Sequence, residues 1–209
     1  MPAKTSSRAV PLLVAAVLLS GSLVAGVLIA GVTQKRGAAA AAPGLEADAL
    51  PGDLAGSAAP AFRLRDGRGG TVDTRALKGR AYAVTFLYTR CPDVCPAIAD
   101  DLRAALAESP EAAVVAVSVD PRGDTPAAVR KFAKAHRLPA TFHYAVGTRE
   151  ELEPVWRAYF AAPQLGDPRT SGHTASVWLV DADGRLRGMY SGGVPIDPAD
   201  VAHDLRALQ

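Results

Sequence analysis

Cysteine is scarce in this chain, since only Cys91 and Cys95 occur among its 209 residues. Two cysteines cannot hold together a disulfide-rich scaffold. A tetrahedral zinc site would need two further ligands, and there is no second cysteine pair to supply them. The two thiols are therefore restricted to one disulfide bridge, one redox couple or part of one metal site.

The chain also lacks a large excess of either charge. It has 23 basic and 21 acidic side chains, which give a formal net charge of +2. A protein that binds nucleic acid normally presents a strongly basic patch or stripe. The balanced composition excludes nucleic acid from the predicted partners.

Charge is absent altogether between Arg8 and Lys35, where the chain is almost entirely apolar. About 20 apolar residues span the hydrocarbon core of a bilayer, whereas the apolar region of a cleaved signal peptide runs to roughly 7–15 residues. We therefore predict a short basic head over residues 1–9 and a transmembrane signal-anchor over 10–34. Cleavage behind this segment, which would secrete the protein, is the alternative. No cysteine stands directly behind the segment, so lipid attachment at a lipobox-type cysteine is excluded.

Two further regions follow the predicted anchor. Residues 35–59 are rich in Ala, Gly and Pro without an apolar period, which is typical of a flexible tether. Residues 60–209 have the length of a single globular domain. The basic head favours a cytoplasmic N-terminus, which would place this domain on the extracytoplasmic side of the membrane.

Strand-like and helix-like segments alternate through residues 60–209. The predicted strands include two continuous apolar runs, 81–88 and 112–119, and a late hairpin that turns on Asp183 and Gly184. Predicted helices follow the first two runs and the later strand at 140–146, and a last one begins near Pro198. Alternating strands and helices that end in a hairpin and a helix predict a thioredoxin-like α/β fold in one soluble domain.

The two cysteines fall in the stretch "TRCPDVCP", directly after a predicted buried strand and at the start of a helix. Residues four apart share one face of a helix, so Cys91 and Cys95 would aim both sulfurs at one point. The positive end of the helix would lower their pKa values. Two thiolates form a soft, incomplete ligand set that suits copper. A reversible disulfide also fits, because this spacing places the two Cα atoms about 6 Å apart.

A copper site would take a third ligand, and the chain has four histidines. His136 and His203 lie on predicted surface helices, and His143 alternates with aromatic residues on a strand. His173 ends a polar loop just before the strand expected to return beside the cysteines, which makes it the candidate ligand. That strand has Ala175 where many thioredoxin-like reductases and peroxidases carry proline, which favours a metal site over dithiol catalysis.

Three motifs, "FLYTRCPDVCP", "VSVDPRGDTP" and "HTASVWLVDADGRL", together with the N-terminal apolar segment, resemble the SCO/SenC family of copper-binding proteins that help assemble cytochrome c oxidase. The resemblance spans roughly residues 60–208. It implies a thioredoxin fold in which Cys91, Cys95 and His173 hold copper as Cu(I), Cu(II) or both. It also implies two partners, the CuA domain of oxidase subunit II as acceptor and an upstream chaperone as copper donor. The implied location is the cell membrane, with the mitochondrial inner membrane as the alternative.

The chain departs from the family pattern at two positions, with Gly172 where the family has Asp and Gly123 where it has Arg. We interpret Asp120 and Asp124 as turn and cap residues and Asp93 as an acid of a first helical turn. None of the three is included in the predicted metal set.

Three functions remain open from the sequence. The first is a membrane-tethered copper metallochaperone, a carrier rather than an enzyme. The second is a thiol–disulfide reductase that keeps the CuA cysteines reduced, with one cysteine attacking and the other resolving. The third, disfavoured by the missing proline, is a peroxiredoxin-like redox sensor.

Overall fold

The computed structural model describes residues 44–163, 175–192 and 195–209. The predicted head at 1–9, the predicted anchor at 10–34 and the predicted ligand His173 lie outside these ranges. Among the residues described, no helix combines the length and the apolar character needed to cross a membrane.

Seven strands form one mixed sheet in the order β2-β1-β5-β4-β3-β6-β7. Their bounds are Arg63–Asp66 (β1), Thr71–Asp73 (β2), Tyr82–Leu87 (β3), Ala113–Ser118 (β4), Phe142–Val146 (β5), Val177–Val180 (β6) and Leu186–Tyr190 (β7). The central strands β3, β4 and β5 run parallel, and β6 runs antiparallel to β3. The carboxyl ends of three strands therefore meet at one edge of the sheet, beside the start of β6.

Within the described ranges, four helices pack on this sheet, and a short 3-10 turn follows β2. The helices are Val94–Glu108 (α1), Pro126–Ala135 (α2), Arg149–Ala158 (α3) and Pro198–Ala207 (α4), and the 3-10 turn is Thr74–Leu77. Phe132 of α2 contacts Tyr144, whereas Tyr159 at the end of α3 contacts Phe86 and Trp178. Side chains at neighbouring strand positions point to opposite faces of a sheet. The contact of Phe132 therefore lies on one face and the contacts of Tyr159 lie on the other. The predicted α/β architecture is thereby confirmed.

Local signals in the sequence explain where several elements begin. Every residue of β3 and of β4 is buried, as expected for strands covered on both faces. Thr125 caps α2 by accepting a hydrogen bond from the amide of Ala128, and Pro126 takes the first helical position. The β6–β7 hairpin turns at Gly184, whose φ of +79° is a conformation that side chains disfavour.

Residues 44–59, which we call the strap, are part of the packed domain. Ala47 and Leu50 of the strap are buried, with 3% and 1% of their surface exposed. The packed part of the chain thus extends to residue 44, ahead of the predicted start at residue 60. The predicted flexibility of the tether over 35–59 does not hold for the strap, because its few apolar side chains reach the core without any periodic pattern.

The strap covers the outer edge of β7. Asp48 pairs with Met189 and Ala58 with Arg185 in isolated antiparallel bridges. Gly188 lies between these bridges, and a Cβ atom there would come within 2.9 Å of the Cβ of Ala47. An uncovered edge strand offers unpaired backbone groups to other chains, so the strap also protects the sheet from edge-to-edge association.

A buried carboxylate in α4 holds the start of the strap. Asp204 has no exposed surface, and its oxygens accept hydrogen bonds from the backbone amides of Glu46 and Ala47, both at 2.9 Å. The hydroxyl of Tyr190 donates to the same carboxylate at 2.7 Å. Hydrogen bonds to a buried charged acceptor are among the stronger ones in proteins.

Replacing Asp204 with Ala should release the strap, because two of its amides lose their acceptor. We expect faster hydrogen exchange over residues 44–59 and a fall in the free energy of unfolding of about 3 kcal/mol. Hydrogen-exchange mass spectrometry and urea unfolding measure the two effects.

The matched control is Tyr190→Phe, which removes a donor from the same carboxylate but leaves both strap amides bonded. The milder variant Asp204→Asn, which keeps one acceptor oxygen, serves if Asp204→Ala does not fold. Unchanged protection of the strap in the Asp204 variants would contradict this account.

Candidate metal centre

The two cysteines lie on a loop and a helix start at the carboxyl end of β3. Helix α1 begins at Val94, whose amide donates to the side chain of Asp93, the N-cap residue. Cys95 therefore lies in the first helical turn, whereas Cys91 precedes the helix. The prediction that both occupy helical positions is wrong for Cys91. The physical reason is that Pro92 disfavours helical geometry in the residue before it, and Asp93 supplies the cap immediately afterwards.

The two sulfur positions nevertheless converge. The backbone amide of Cys95 donates to Sγ of Cys91 at 3.3 Å, and the amide of Cys91 donates to the carbonyl of Tyr88 at 3.2 Å. In the described part of the chain, no disulfide bond joins Cys91 to Cys95. Cys91 keeps 7% of its surface exposed, and Cys95 has none. Both residues are therefore buried, and Cys91 is the slightly more exposed of the two.

The surroundings shift the pKa values of the two thiols in opposite directions. The pKa of Cys91 is lowered to about 6, chiefly because the Cys95 side chain donates a hydrogen bond to its sulfur, and the amides of Asp93 and Cys95 and the hydroxyl of Tyr88 act in the same direction. Burial opposes this shift. The same hydrogen bond, followed by burial, raises the pKa of Cys95 well above its ordinary value. At neutral pH the pair therefore holds one thiolate, Cys91, and one thiol, Cys95.

Three aspartates surround the cysteine loop. Asp93 is the N-cap of α1 and not, as interpreted from the sequence, an acid of its first turn; its Oδ1 lies 3.7 Å from Sγ of Cys91. Asp120 and Asp124 do more than the turn and cap roles assigned to them, because they bind Arg90 and Thr89, the two residues before Cys91. Sequence reasoning missed these contacts, since about thirty residues separate the partners and no local pattern links them.

The sequence model of the SCO1/SenC family matches residues 52–209, a range that includes both cysteines, the three aspartates beside them and the second half of the strap. This chain belongs to the SCO1/SenC family. The match begins ahead of the predicted domain start at residue 60, in agreement with the packed strap.

Individual relatives support the same assignment. The SCO1 protein homolog of Bacillus subtilis is 28% identical over 158 residues, which cover 70% of this chain and 79% of the relative. Protein SenC of Rhodobacter capsulatus is 32% identical over 130 residues, 57% of each chain. Copper-bound ScoI of Bradyrhizobium japonicum has a TM-score of 0.58 at 29% identity, covering 73% of this chain and all of that one. These similarities confirm the predicted thioredoxin-like domain.

The described part of this SCO1/SenC chain contains two of the three predicted ligands. Within it, no group of three His, Cys, Asp or Glu side chains is arranged to hold a metal ion. The other histidines each contact a carboxylate elsewhere in the fold: His136 contacts Asp100, His143 contacts Asp66 and His203 contacts Asp204. The ligand set with His173 stays a prediction.

The segment from Ala175 into β6 begins near the end of β3, the strand that leads to the cysteine loop. Ala175 is buried and precedes β6, whose first residue, Val177, pairs with Thr85 in β3. The start of β6 therefore lies at the edge of the sheet where β3 ends. The chain just after β7 packs closely against Ala175, because a Cβ atom on Gly192 would come within 2.4 Å of the carbonyl oxygen of Ala175.

The unequal pKa values predict unequal reactivity in the reduced, metal-free protein. Because the thiolate is the nucleophile, the rate at which iodoacetamide alkylates Cys91 should rise as the pH rises through about 6 and level off near pH 7. Cys95 should react slowly over the same range. Peptide mass spectrometry after timed quenching assigns each rate to its cysteine.

The control variant Cys95→Ala removes the hydrogen bond that contributes most to the low pKa of Cys91. Its alkylation midpoint should move up towards the ordinary thiol value of about 8.5. Equal rates for both cysteines, with a shared midpoint near 8.5, would refute the division into thiolate and thiol.

Proposed function

We propose that this chain is a membrane-tethered copper metallochaperone that assists metallation of the CuA centre of cytochrome c oxidase. The ligands are Cys91, Cys95 and His173. The observation that supports this most directly is the contact of 3.3 Å between the Cys95 amide and Cys91 Sγ, in a chain that belongs to the SCO1/SenC family. It brings two sulfurs together at the start of a helix without using either in a scaffold disulfide.

Copper is the metal that fits this donor set. Thiolates are soft ligands that favour Cu(I), and imidazole suits copper in either oxidation state. A relative of this chain, ScoI of Bradyrhizobium japonicum, has been solved with copper bound. Two sulfurs and one imidazole leave the ion three-coordinate, which suits transfer to a partner by exchange of one ligand at a time.

The third ligand is proposed from the path of the chain that follows it. Ala175, two residues after His173, is buried where β6 starts, and that point lies beside the end of β3. Cys91 follows β3 by four residues. The register of β3 and β6 thus supports a histidine ligand arriving from the β6 side.

The proposed setting is the extracytoplasmic face of the cell membrane, with residues 10–34 as the anchor. The proposed partners are the CuA domain of oxidase subunit II, which receives copper, and an upstream chaperone that donates it. Both proposals follow the resemblance of the motifs to the family rather than any contact in the structure.

One observation favours a second candidate, a thiol–disulfide reductase. The lowered pKa of Cys91 and the raised pKa of Cys95 make the first a thiolate and the second a thiol, the division that an attacking and a resolving cysteine require. Cys91 would attack a partner disulfide and form a mixed disulfide, which releases one partner thiolate. Cys95 would then lose its proton and attack Cys91, releasing the second thiolate. Two electrons pass to the partner, and an external thiol must reduce the Cys91–Cys95 disulfide again.

Loss of the predicted third ligand should weaken copper binding but leave the cysteine chemistry intact. We expect His173→Ala to lower the Cu(I) affinity of the full-length protein by more than about tenfold, since even partners of metal ligands are worth 10–100-fold. The disulfide between Cys91 and Cys95 should still form. Titration against a chromogenic Cu(I) chelator and thiol counting after oxidation measure the two properties.

The matched control is His203→Gln, at a half-exposed histidine of α4 that contacts Asp204. It should bind copper as the parent does. Full copper affinity in His173→Ala would eliminate the three-ligand site, and absence of sulfur-bound copper from the parent protein would eliminate the proposed function.

Delivery and reduction separate in a cell that lacks this protein. If the chain delivers copper, added copper should restore oxidase activity, because the missing step is supply of the ion. If it reduces the CuA cysteines, added thiol should restore activity and copper should not. Oxidase activity of isolated membranes is the measurement, and we expect rescue by copper.

A further inference from the structure

The loop that carries Cys91 needs support from outside the helix. Cys95 is held by the hydrogen bonds of α1, but Cys91 lies between the end of β3 and the N-cap, outside both elements. Fixing such a loop residue costs conformational entropy, and a ligand that must be ordered at the moment of binding weakens affinity. Contacts that hold the loop beforehand therefore bear on metal binding.

The first contact is made by Asp124, a buried carboxylate in the loop after β4. Its Oδ1 accepts hydrogen bonds from the amide and from the hydroxyl of Thr89, both at 2.8 Å. Its Oδ2 accepts from the hydroxyl of Ser118 at 2.6 Å and from that of Tyr144 at 3.3 Å. One carboxylate thus joins the residues that follow β3 to the end of β4 and to β5.

The second contact is made by Asp120 in the same loop. Nε and Nη2 of Arg90 donate to its Oδ2 at 3.1 and 2.6 Å, and the amide of Gly123 donates to its Oδ1 at 2.9 Å. The carboxylate is nearly buried, with 5% of its side chain exposed, whereas 56% of the Arg90 side chain is exposed. A charge-assisted pair with two donors on one oxygen also restricts orientation.

Position 123 can hold only glycine in this arrangement. A Cβ atom there would lie 2.1 Å from Oδ2 of Asp120 and 2.5 Å from Nε of Arg90. The backbone of Gly123 is not left-handed, so the requirement comes from space rather than from conformation. The family usually has arginine at this position. Here glycine stands instead, and the guanidinium beside it comes from Arg90 on the other loop.

We propose that Asp120 and Asp124 are positioning residues for the metal centre, which act through Arg90 and Thr89 to hold the loop that carries Cys91. This inference rests on the proposed copper site and adds to it. Asp124 accepts hydrogen bonds from Thr89 and Asp120 accepts them from Arg90, so the effect proposed for the two aspartates is on the placement of Cys91 rather than on ligation.

The test compares two ion pairs of similar construction. Arg90→Gln breaks the ion pair with Asp120, and Arg187→Gln breaks the ion pair with Asp181. In the second pair, 35% of the arginine side chain and 9% of the aspartate side chain are exposed. Asp181 also accepts backbone hydrogen bonds from its own turn, as Asp120 does. It follows Val180, which pairs with Tyr82 at the start of β3, so it lies at the end of the sheet away from the cysteines.

We expect both variants of the full-length protein to lose similar amounts of thermal stability. Arg90→Gln should in addition bind Cu(I) about tenfold more weakly than the parent, in the range found for partners of metal ligands, and should shift the sulfur-to-copper charge-transfer band of the Cu(II) form. Arg90→Lys, which keeps a positive donor, should recover part of both. Arg187→Gln should match the parent in affinity and spectrum.

A second variant reaches the same contact from the other side. Gly123→Ala should displace the Asp120 carboxylate and reproduce the weaker binding of Arg90→Gln. Parental affinity and spectrum in both Arg90→Gln and Gly123→Ala would overturn the proposal. Equal weakening in Arg187→Gln would also overturn it, because the effect would then be one of general stability.

Hydrogen exchange of residues 88–92 in the metal-free protein separates this inference from the proposed function. Faster exchange in Arg90→Gln than in Arg187→Gln supports the positioning role, and equal exchange contradicts it. Failure of the parent protein to bind copper would remove the proposed function without altering this comparison.

Discussion

Parallel pairing of β3 with β4, and of β4 with β5, determines where the chemistry of this protein is located. Three parallel strands must end at the same edge of the sheet, and the loops that leave them are therefore neighbours. The cysteine loop follows β3, and the loop with Asp120 and Asp124 follows β4. Because β6 is antiparallel to β3, its start reaches the same edge. The local conformations of these loops depend on this arrangement.

Within that frame, the two cysteines differ because one belongs to a helix and the other does not. The amide of Cys95, in the first turn of α1, donates to the sulfur of Cys91. A sulfur that accepts hydrogen bonds is stabilised as a thiolate, and the thiol that donates to it holds its proton more tightly. The difference between Cys91 and Cys95 thus follows from the position of the helix start, which Pro92 and Asp93 determine.

The sequence predicted the elements whose signals are local. Continuous apolar runs indicated β3 and β4, and Thr125 followed by Pro126 indicated the start of α2. Features that depend on distant partners were missed. The strap has no periodic pattern, and its docking depends on Asp204, more than 150 residues away. The aspartates at 120 and 124 were interpreted from their neighbours alone, because nothing in the sequence shows that Thr89 and Arg90 lie against them.

The two supports of the cysteine loop add little net charge next to the sulfurs. One is the carboxylate of Asp124 with its neutral donors, and the other is the ion pair of Arg90 with Asp120. In the proposed site, Cu(I) held by two thiolates and a neutral imidazole would carry a net charge of −1, which the positive end of α1 would stabilise. An unpaired cation beside the sulfurs would bind that anionic centre more tightly and slow its release. Arg90 is already matched by Asp120, and Asp124 receives its hydrogen bonds from an amide and three hydroxyls. The loop is therefore held in place with little added positive charge, as the proposed release of copper to a partner would require.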